Sequence, residues 1–112
     1  MARRDTTAKP TANLSRQAAA DLVDIYRRSA RLWGAAVARR SRDRLLAWIA
    51  TIAAGTAVGH KRDDVSPPAP TAFIVEEPWV IAYNPETREV YRVLHGSRDF
   101  PALFPPASSH RP

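Results

Sequence analysis

The sequence predicts an α+β fold, in which an N-terminal helical hairpin packs on a small antiparallel β-sheet. Two stretches with apolar residues at helical spacing fill the first half of the chain, up to Gly55. Three short runs rich in Val, Ile, Tyr and Phe follow in the second half, beyond a proline-rich connector. Helices that precede the strands as a block, rather than alternating with them, are typical of α+β domains.

The first helix is predicted to begin at Leu14-Ser15, where Ser15 is a suitable N-cap, and to end at Gly34. Its apolar side carries Ala18, Leu22, Ile25 and Leu32 or Trp33. We expect Asp21 and Asp24 to face elsewhere on this helix, away from that apolar side.

The second helix is predicted to follow Gly34 and to end near Gly55, because a second apolar stripe stops there. A turn at Gly34 then joins two helices of about five turns each into an antiparallel hairpin. The stripe consists of Val37, Leu45, Trp48 or Ile49, and Ile52. Because Trp33 and Trp48 continue these aliphatic stripes, we interpret both rings as core or hairpin packing rather than as ligand platforms.

The predicted sheet consists of three runs, Ala72 to Glu76, Trp79 to Tyr83 and Glu89 to Leu94. Turn residues at 84–87 join the last two, which indicates an antiparallel meander. Side-chain alternation groups Trp79, Ile81 and Tyr83 on one face and Val90, Arg92 and Leu94 on another, which Phe73 and Val75 can join. A strand before the first helix, at Thr11 to Leu14, is weak at best because the segment is poor in β-formers.

The chain has room for one domain, which we expect to span residues 12–104. Residues 1–11 are interpreted as a flexible arm and residues 105–112 as a flexible tail. The connector at 66–70 can form neither a helix nor a central strand, because proline lacks the backbone donor. Phe100, Leu103 and Phe104 offer apolar side chains that can fold back onto the sheet.

Composition excludes several classes of chemistry. The chain has no cysteine, so it has neither a disulfide framework nor a thiolate metal site. His60, His95 and His110 lack the spacing of metal ligands, and no phosphate-cradling glycine loop is present, so we expect no metal and no cofactor. The charged N-terminus lacks the apolar stretch of a signal peptide and no run is long enough to cross a bilayer, which favours a cytoplasmic protein.

The net charge of +6 is concentrated between Arg27 and Arg44, a segment with seven arginines and one acidic residue, Asp43. Such a surface fits an anionic partner, whether nucleic acid, a membrane surface or an acidic protein segment. A solvated helix face without any ligand is the alternative interpretation. No recognised DNA-reading motif accompanies these arginines.

The remaining candidates for chemistry lie around the end of the last strand. They are Arg92, His95, Arg98 and Asp99. In a regular strand Arg92 and His95 point to opposite faces, so they cannot be assumed to form one site. Arg98 and Asp99 either contact a target or anchor the end of the strand by a charge-assisted bond, and the residues alone leave both readings open.

These residues resemble the ParE branch of the RelE/ParE toxin superfamily. Its last strand has the form aliphatic-x-Arg-Val-Leu-His-Gly-small-Arg-Asp, which Val90 and Arg92 to Asp99 match without a gap. Similarity extends over residues 12–104, through the helix start at Leu14-Ser15, Gly59 with Arg62-Asp63-Asp64, and the strand Trp79 to Tyr83. The chain departs from the pattern in its connector, which keeps Phe73 but lacks the usual arginine.

The resemblance implies the toxin of a type II toxin–antitoxin system, which inhibits growth by acting on DNA gyrase and is neutralised by a ParD-like antitoxin. It implies no covalent chemistry by the toxin and assigns target binding to Arg92, His95, Arg98 and Asp99. Antitoxins of this class are generally acidic where they wrap the toxin. We therefore expect Arg39, Arg40 and Arg42 to bind the antitoxin.

The alternative is a ribosome-dependent mRNA endoribonuclease like RelE, which shares the fold. Its metal-free chemistry would use Arg92, His95 and Arg98, with help from Tyr83 or Tyr91. Against it, alternation separates Arg92 from His95, and the lysine-rich sheet of such nucleases is missing, since the only lysines are Lys9 and Lys61. A binding module without toxicity is the third possibility.

Overall fold

The computed structural model describes residues 13–61 and 70–96. Its elements, in chain order, are β1 (Asn13–Leu14), α1 (Arg16–Trp33), α2 (Ala35–Ala54), β2 (Ala72–Glu76), β3 (Trp79–Tyr83) and β4 (Glu89–His95). The α+β prediction is therefore confirmed, with the helical hairpin on an antiparallel meander. Our expectations for the arm at 1–11, the connector at 66–69, Arg98, Asp99 and the tail at 105–112 lie outside the described residues.

The hairpin forms where its capping residues predict. Ser15 caps α1, since its Oγ accepts a hydrogen bond from the Ala18 N–H at 2.9 Å. Gly34 separates the helices with φ at +92°, a conformation that any residue with a Cβ adopts at a cost. The Gly34 N–H donates to the Ala30 carbonyl, and the Gly34 carbonyl accepts from the Ala38 N–H. Gly34 therefore takes part in the last backbone hydrogen bond of α1 and the first of α2.

The sheet has the strand order β1-β4-β3-β2. Strands β2, β3 and β4 form the predicted antiparallel meander, and a tight turn with a cis Glu77–Pro78 peptide joins β2 to β3. The doubtful first strand is present in short form, because β1 pairs in parallel with the beginning of β4, Leu14 lying opposite Val90. The sheet is therefore mixed, with a two-residue parallel edge.

A β-bulge in β4 overturns one of the predicted groupings. Ala82 pairs with Arg92 but Tyr83 pairs with Val90, so Tyr91 is an extra residue on β4. This extra residue turns Val90 onto the helix side, where it packs with Trp79, Ile81 and Tyr83. The prediction that Val90 shares a face with Arg92 and Leu94 was wrong, because it assumed unbroken alternation.

The main core lies between the hairpin and one face of the sheet. Its buried members include Ile25, Leu45, Ile49, Ile52, Ile74, Ile81 and Val93. Trp48 packs against this core, as predicted, and its Nε1 donates to Glu76 at 2.9 Å. The prediction that Leu32 or Trp33 continues the packed side of α1 was wrong, since they are 58% and 57% exposed. Helical spacing identifies a face of α1 but not the point at which the core beneath that face ends.

Candidate functional site

An ion pair between Arg92 on β4 and Asp21 on α1 holds the helix against the last strand. Arg92 Nε and Nη2 donate to the two carboxylate oxygens of Asp21 at 2.8 and 2.9 Å. The same carboxylate accepts the backbone N–H of Val93 at 2.9 Å. The side chains are only 25% and 16% exposed, so this bidentate pair is screened far less than a surface salt bridge.

Asp21 was wrongly expected to face elsewhere from the packed side of α1. It lies at the edge of β4 beyond the short β1 strand, where none of the strands that the structure describes lies next to the Val93 N–H. Ser15 acts at the same edge, since its N–H donates to the Val90 carbonyl and its Oγ donates to the Tyr91 carbonyl. Ser15 and Asp21, at the N-terminal end of α1, therefore make the hydrogen bonds to β4 that a longer neighbouring strand would make.

His95, at the end of β4, stands on the helix side of the sheet. Its ring meets that of Trp79 edge to face, with the centroids 5.6 Å apart and the planes at 88°. Arg28 approaches from α1 and pairs with Asp24 at 3.1 Å. Together these residues line a notch of about 30 Å³, enough for one water molecule, whose lining residues are Asp21, Asp24, Ile25, Arg28, Trp79, Val93 and His95.

The prediction that Arg92 and His95 project from opposite faces of the last strand is confirmed. Arg92 pairs across the sheet with Ala82, on the face away from the helices, and its guanidinium reaches Asp21 from there. His95 pairs with Trp79, on the face toward the helices. Sequence reasoning missed Arg28 and Asp24 as neighbours of His95. Asp24 and Arg28 are spaced three or four residues from Asp21 and Ile25, which places all four on one side of α1. This spacing is the only sequence feature that indicates their position near His95.

A second feature is an apolar groove between the outer sides of the two helices, which we call the hairpin groove. Leu22, Val23 and Tyr26 of α1 and Leu46 of α2 form its floor, with Arg27 and Arg42 at its rim and a volume of about 430 Å³. Val23 and Leu46 are 51% and 44% exposed, so apolar surface faces solvent here. Arg42 lies over the Tyr26 ring, with its Cζ 5.5 Å from the ring centroid.

The three arginines predicted to bind a partner all lie on α2, and Arg42 is the one among them that lines the groove. Arg42 lines the groove and donates from Nε and Nη2 to Asp43 at 3.2 Å. Arg39 and Arg40 are exposed on the preceding turn. Trp33 lies seven residues after Tyr26, two helical turns along α1, and so continues the same side of that helix toward the hairpin turn.

The part of the chain that the structure describes contains no cluster of three or more His, Cys, Asp or Glu side chains suited to a metal. Neither of its two helices is long and apolar enough to span a membrane.

Comparison with known proteins bears directly on the family. The family model described as the ParE toxin of the type II toxin–antitoxin system parDE matches residues 12–100. Among solved structures, the chain is similar to one from the chromosomal ParDE toxin–antitoxin system of P. aeruginosa, at 19% identity and a TM-score of 0.61. That likeness covers 78% of this chain and 96% of the other, and it is a likeness of fold. No curated protein sequence matches the chain.

Proposed function

Because this chain belongs to the family of ParE toxins of type II toxin–antitoxin systems, we propose that it arrests bacterial growth by binding DNA gyrase. A ParD-like antitoxin neutralises it by covering the hairpin. The family match over residues 12–100 carries the proposal, since it includes α1 and the last strand with its Arg92 to Asp99 motif. The site of action is the cytoplasm, where gyrase works.

The target surface in this proposal lies around His95 rather than around Arg92. The Arg92 guanidinium is already engaged by Asp21 and is three-quarters buried, so its main task is to hold α1 and β4 together. His95, with Trp79 behind it and Arg28 beside it, offers polar groups at the rim of a notch too small for a cofactor. Arg98 and Asp99, which the resemblance also assigns to target binding, follow His95 within four residues in the sequence.

Binding without covalent chemistry fits this arrangement better than RNA cleavage does. A metal-free nuclease needs its base and its cationic groups to converge on one phosphate. Arg92 and His95 project from opposite faces of β4, which does not favour such convergence. We therefore favour DNA gyrase over ribosome-bound messenger RNA as the target.

Purified gyrase provides the direct test, with His95→Ala as the variant and His60→Ala as its matched control. His60 is exposed, and among the described residues its hydrogen bonds to the sheet are those of its backbone with Phe73, so the change leaves them in place. We expect His95→Ala to need at least about ten times more protein for the same inhibition of supercoiling, a loss of about 1.4 kcal/mol in binding. The edge-to-face contact with Trp79 that this change removes is worth about 1 kcal/mol, so the Tm of the variant is measured beside its potency to separate a loss of binding from a loss of stability. Equal potency of His95→Ala and the His60→Ala control would contradict the proposed target surface.

The antitoxin is proposed to lie in the hairpin groove. An apolar floor with arginines along its rim is complementary to an amphipathic helix whose polar side is acidic. From Leu22 to Trp33 the groove side of α1 runs about 16 Å, which accommodates about three turns of a helix. Trp33, more than half exposed, supplies the large aromatic contact that such interfaces use as an anchor.

Charge reversal tests this assignment. Arg39→Glu/Arg40→Glu, with Arg42→Glu as a separate variant, should weaken antitoxin binding at least about tenfold, mostly at low salt where charges are screened least. The control Arg16→Glu/Lys61→Glu changes the net charge equally at exposed positions outside the groove. Leu46→Glu should weaken binding at all salt concentrations, because it places a charge on the apolar floor. Unchanged affinity of the Arg39→Glu/Arg40→Glu protein at low salt would remove Arg39 and Arg40 from the interface, and unchanged affinity of the Arg42→Glu protein would contradict the groove assignment.

A further inference from the structure

Two Asp–Arg pairs lie at the notch where α1 packs against β4, and they are built differently. Asp21 accepts from Arg92 with both carboxylate oxygens, and that pair is mostly buried. Asp24 accepts from Arg28 Nη2 alone, at 3.1 Å, and these two side chains are 66% and 35% exposed. An exposed pair four residues apart on a helix contributes little to stability. A partner can therefore separate Asp24 from Arg28 at small cost, whereas Asp21 and Arg92 stay together.

The Arg28 guanidinium has donors available at the notch. Arg28 lines the notch together with His95 and Asp24. Within the described ranges 13–61 and 70–96, the hydrogen bond to Asp24 uses only one of its N–H groups, and the others have no acceptor there. A guanidinium presents its N–H groups as a planar fork that fits the two oxygens of a carboxylate. An incoming carboxylate can therefore bind Arg28 through two parallel hydrogen bonds, a better geometry than that of Asp24.

The charge around the notch favours an anion. Arg92 and Arg28 balance the charges of Asp21 and Asp24. Arg31 follows Arg28 by three residues on the same side of α1 and is exposed. In the part of the chain that the structure describes, Arg31 forms no ion pair. Its point of attachment is about 5–6 Å from that of Arg28, less than the Debye length of about 8 Å in physiological salt, so its positive charge acts at the notch.

We propose that Arg28 binds a carboxylate side chain on the surface of gyrase, and that Asp24 holds Arg28 in the free toxin until that carboxylate displaces it. The notch, large enough for one water molecule, admits one oxygen of the carboxylate beside His95. This inference rests on the proposed function, and it adds a target-binding residue outside the Arg92 to Asp99 motif. It also makes Asp24 an internal competitor, which lowers the affinity of the toxin for its target.

The test measures the affinity of purified gyrase for the full-length chain and for three variants, Arg28→Gln, Arg28→Lys and Asp24→Asn. Arg16→Gln is the control for the loss of an arginine, because Arg16 is exposed on the same helix about 18 Å from Arg28. Glu86→Gln is the control for the loss of a carboxylate, because Glu86 is exposed in the turn at the other end of β3 and β4. The Tm of each variant is measured as well, which separates a loss of binding from unfolding.

Arg28→Gln should weaken the binding of gyrase at least about tenfold, because a charge-assisted bidentate contact is lost. Arg28→Lys should give an intermediate affinity, since an ammonium group keeps the charge but lacks the fork. Asp24→Asn should strengthen binding at least about twofold, because the competing carboxylate is gone. This gain should disappear in the Arg28→Gln/Asp24→Asn protein, and neither control should change the affinity.

The results that overturn the inference differ from those that overturn the proposed function. Equal affinity of Arg28→Gln and Arg16→Gln removes Arg28 from the target surface. Weaker binding by Asp24→Asn, or a gain that persists in the Arg28→Gln chain, contradicts the displacement of Asp24. In each of these cases the unaltered toxin still binds gyrase, so the proposed function stands. Absence of binding by the unaltered toxin overturns the proposed function itself.

Discussion

Replacing Asp21 by Ala removes the acceptor of three hydrogen bonds at once. Arg92 loses both carboxylate oxygens of its bidentate pair, and the Val93 N–H loses the carboxylate that accepts from it at the edge of β4. Alanine is a good helix former, so the Asp21→Ala change does not weaken α1 itself. Any loss of stability then reports the link between α1 and β4.

The exposure of the two side chains sets the expected size of this effect. A fully exposed pair contributes about 0–1 kcal/mol and breaking a fully buried one costs about 3–5 kcal/mol. At 16% and 25% exposure, the Asp21–Arg92 pair lies toward the buried limit. Loss of the Val93 acceptor adds about 1 kcal/mol. We therefore expect Asp21→Ala to lower the free energy of unfolding by about 3 kcal/mol, which is about 12 °C or more in Tm for a domain of this size.

Urea unfolding followed by tryptophan fluorescence measures this loss, and Asp24→Ala is its matched control. Asp24 pairs with Arg28 on the same helix but is 66% exposed, so its loss should cost less than about 1 kcal/mol. A double-mutant cycle with Arg92→Ala should give a coupling of about 1–2 kcal/mol between Asp21 and Arg92. A coupling near zero, or equal costs for Asp21→Ala and Asp24→Ala, would refute the reasoning that Arg92 holds the helix.

Three further substitutions test the local structure that positions these sites, each by its effect on Tm. Ser15→Ala should cost about 1–2 kcal/mol, because it removes both the cap of α1 and the bond to the Tyr91 carbonyl; a change within about 2 °C would contradict this. Gly59→Ala should be destabilising by about 2 kcal/mol, since its Cβ would lie 2.6 Å from Tyr83 Oη, and adding Tyr83→Phe should restore part of the loss. Arg88→Ala should cost about 1 kcal/mol, because Arg88 Nη1 donates to the Ala53 carbonyl at the end of α2; an unchanged Tm would show that this cap contributes nothing.

The boundaries of the helices could be predicted because each has a local chemical cause. Ser15 supplies an acceptor for the first turn of α1, and Gly34 and Gly55 adopt positive φ where the two helices end. Strand positions followed from β-prone runs in the same way. These signals act within a few residues, so one sequence is enough to detect them.

The features that escaped prediction depend on residues far apart in the chain. Asp21 and Arg92 are separated by 71 positions, and nothing local to either one indicates the other. The bulge at Tyr91 shifts Val90 to the helix side, and it is visible only in the pairing of β4 with β3. Trp33 continues an apolar stripe and yet is exposed, because the extent of the core beneath a helix is a tertiary property.

The most direct test of the central claim is induction of this chain in a bacterium, with and without its antitoxin, while plasmid supercoiling and messenger RNA are followed together. Action on gyrase predicts arrested growth, loss of negative supercoiling and intact messages, all reversed by the antitoxin. Discrete cleavage of ribosome-bound messages with normal supercoiling would contradict it and favour the endoribonuclease. Normal growth at confirmed expression would contradict toxicity itself.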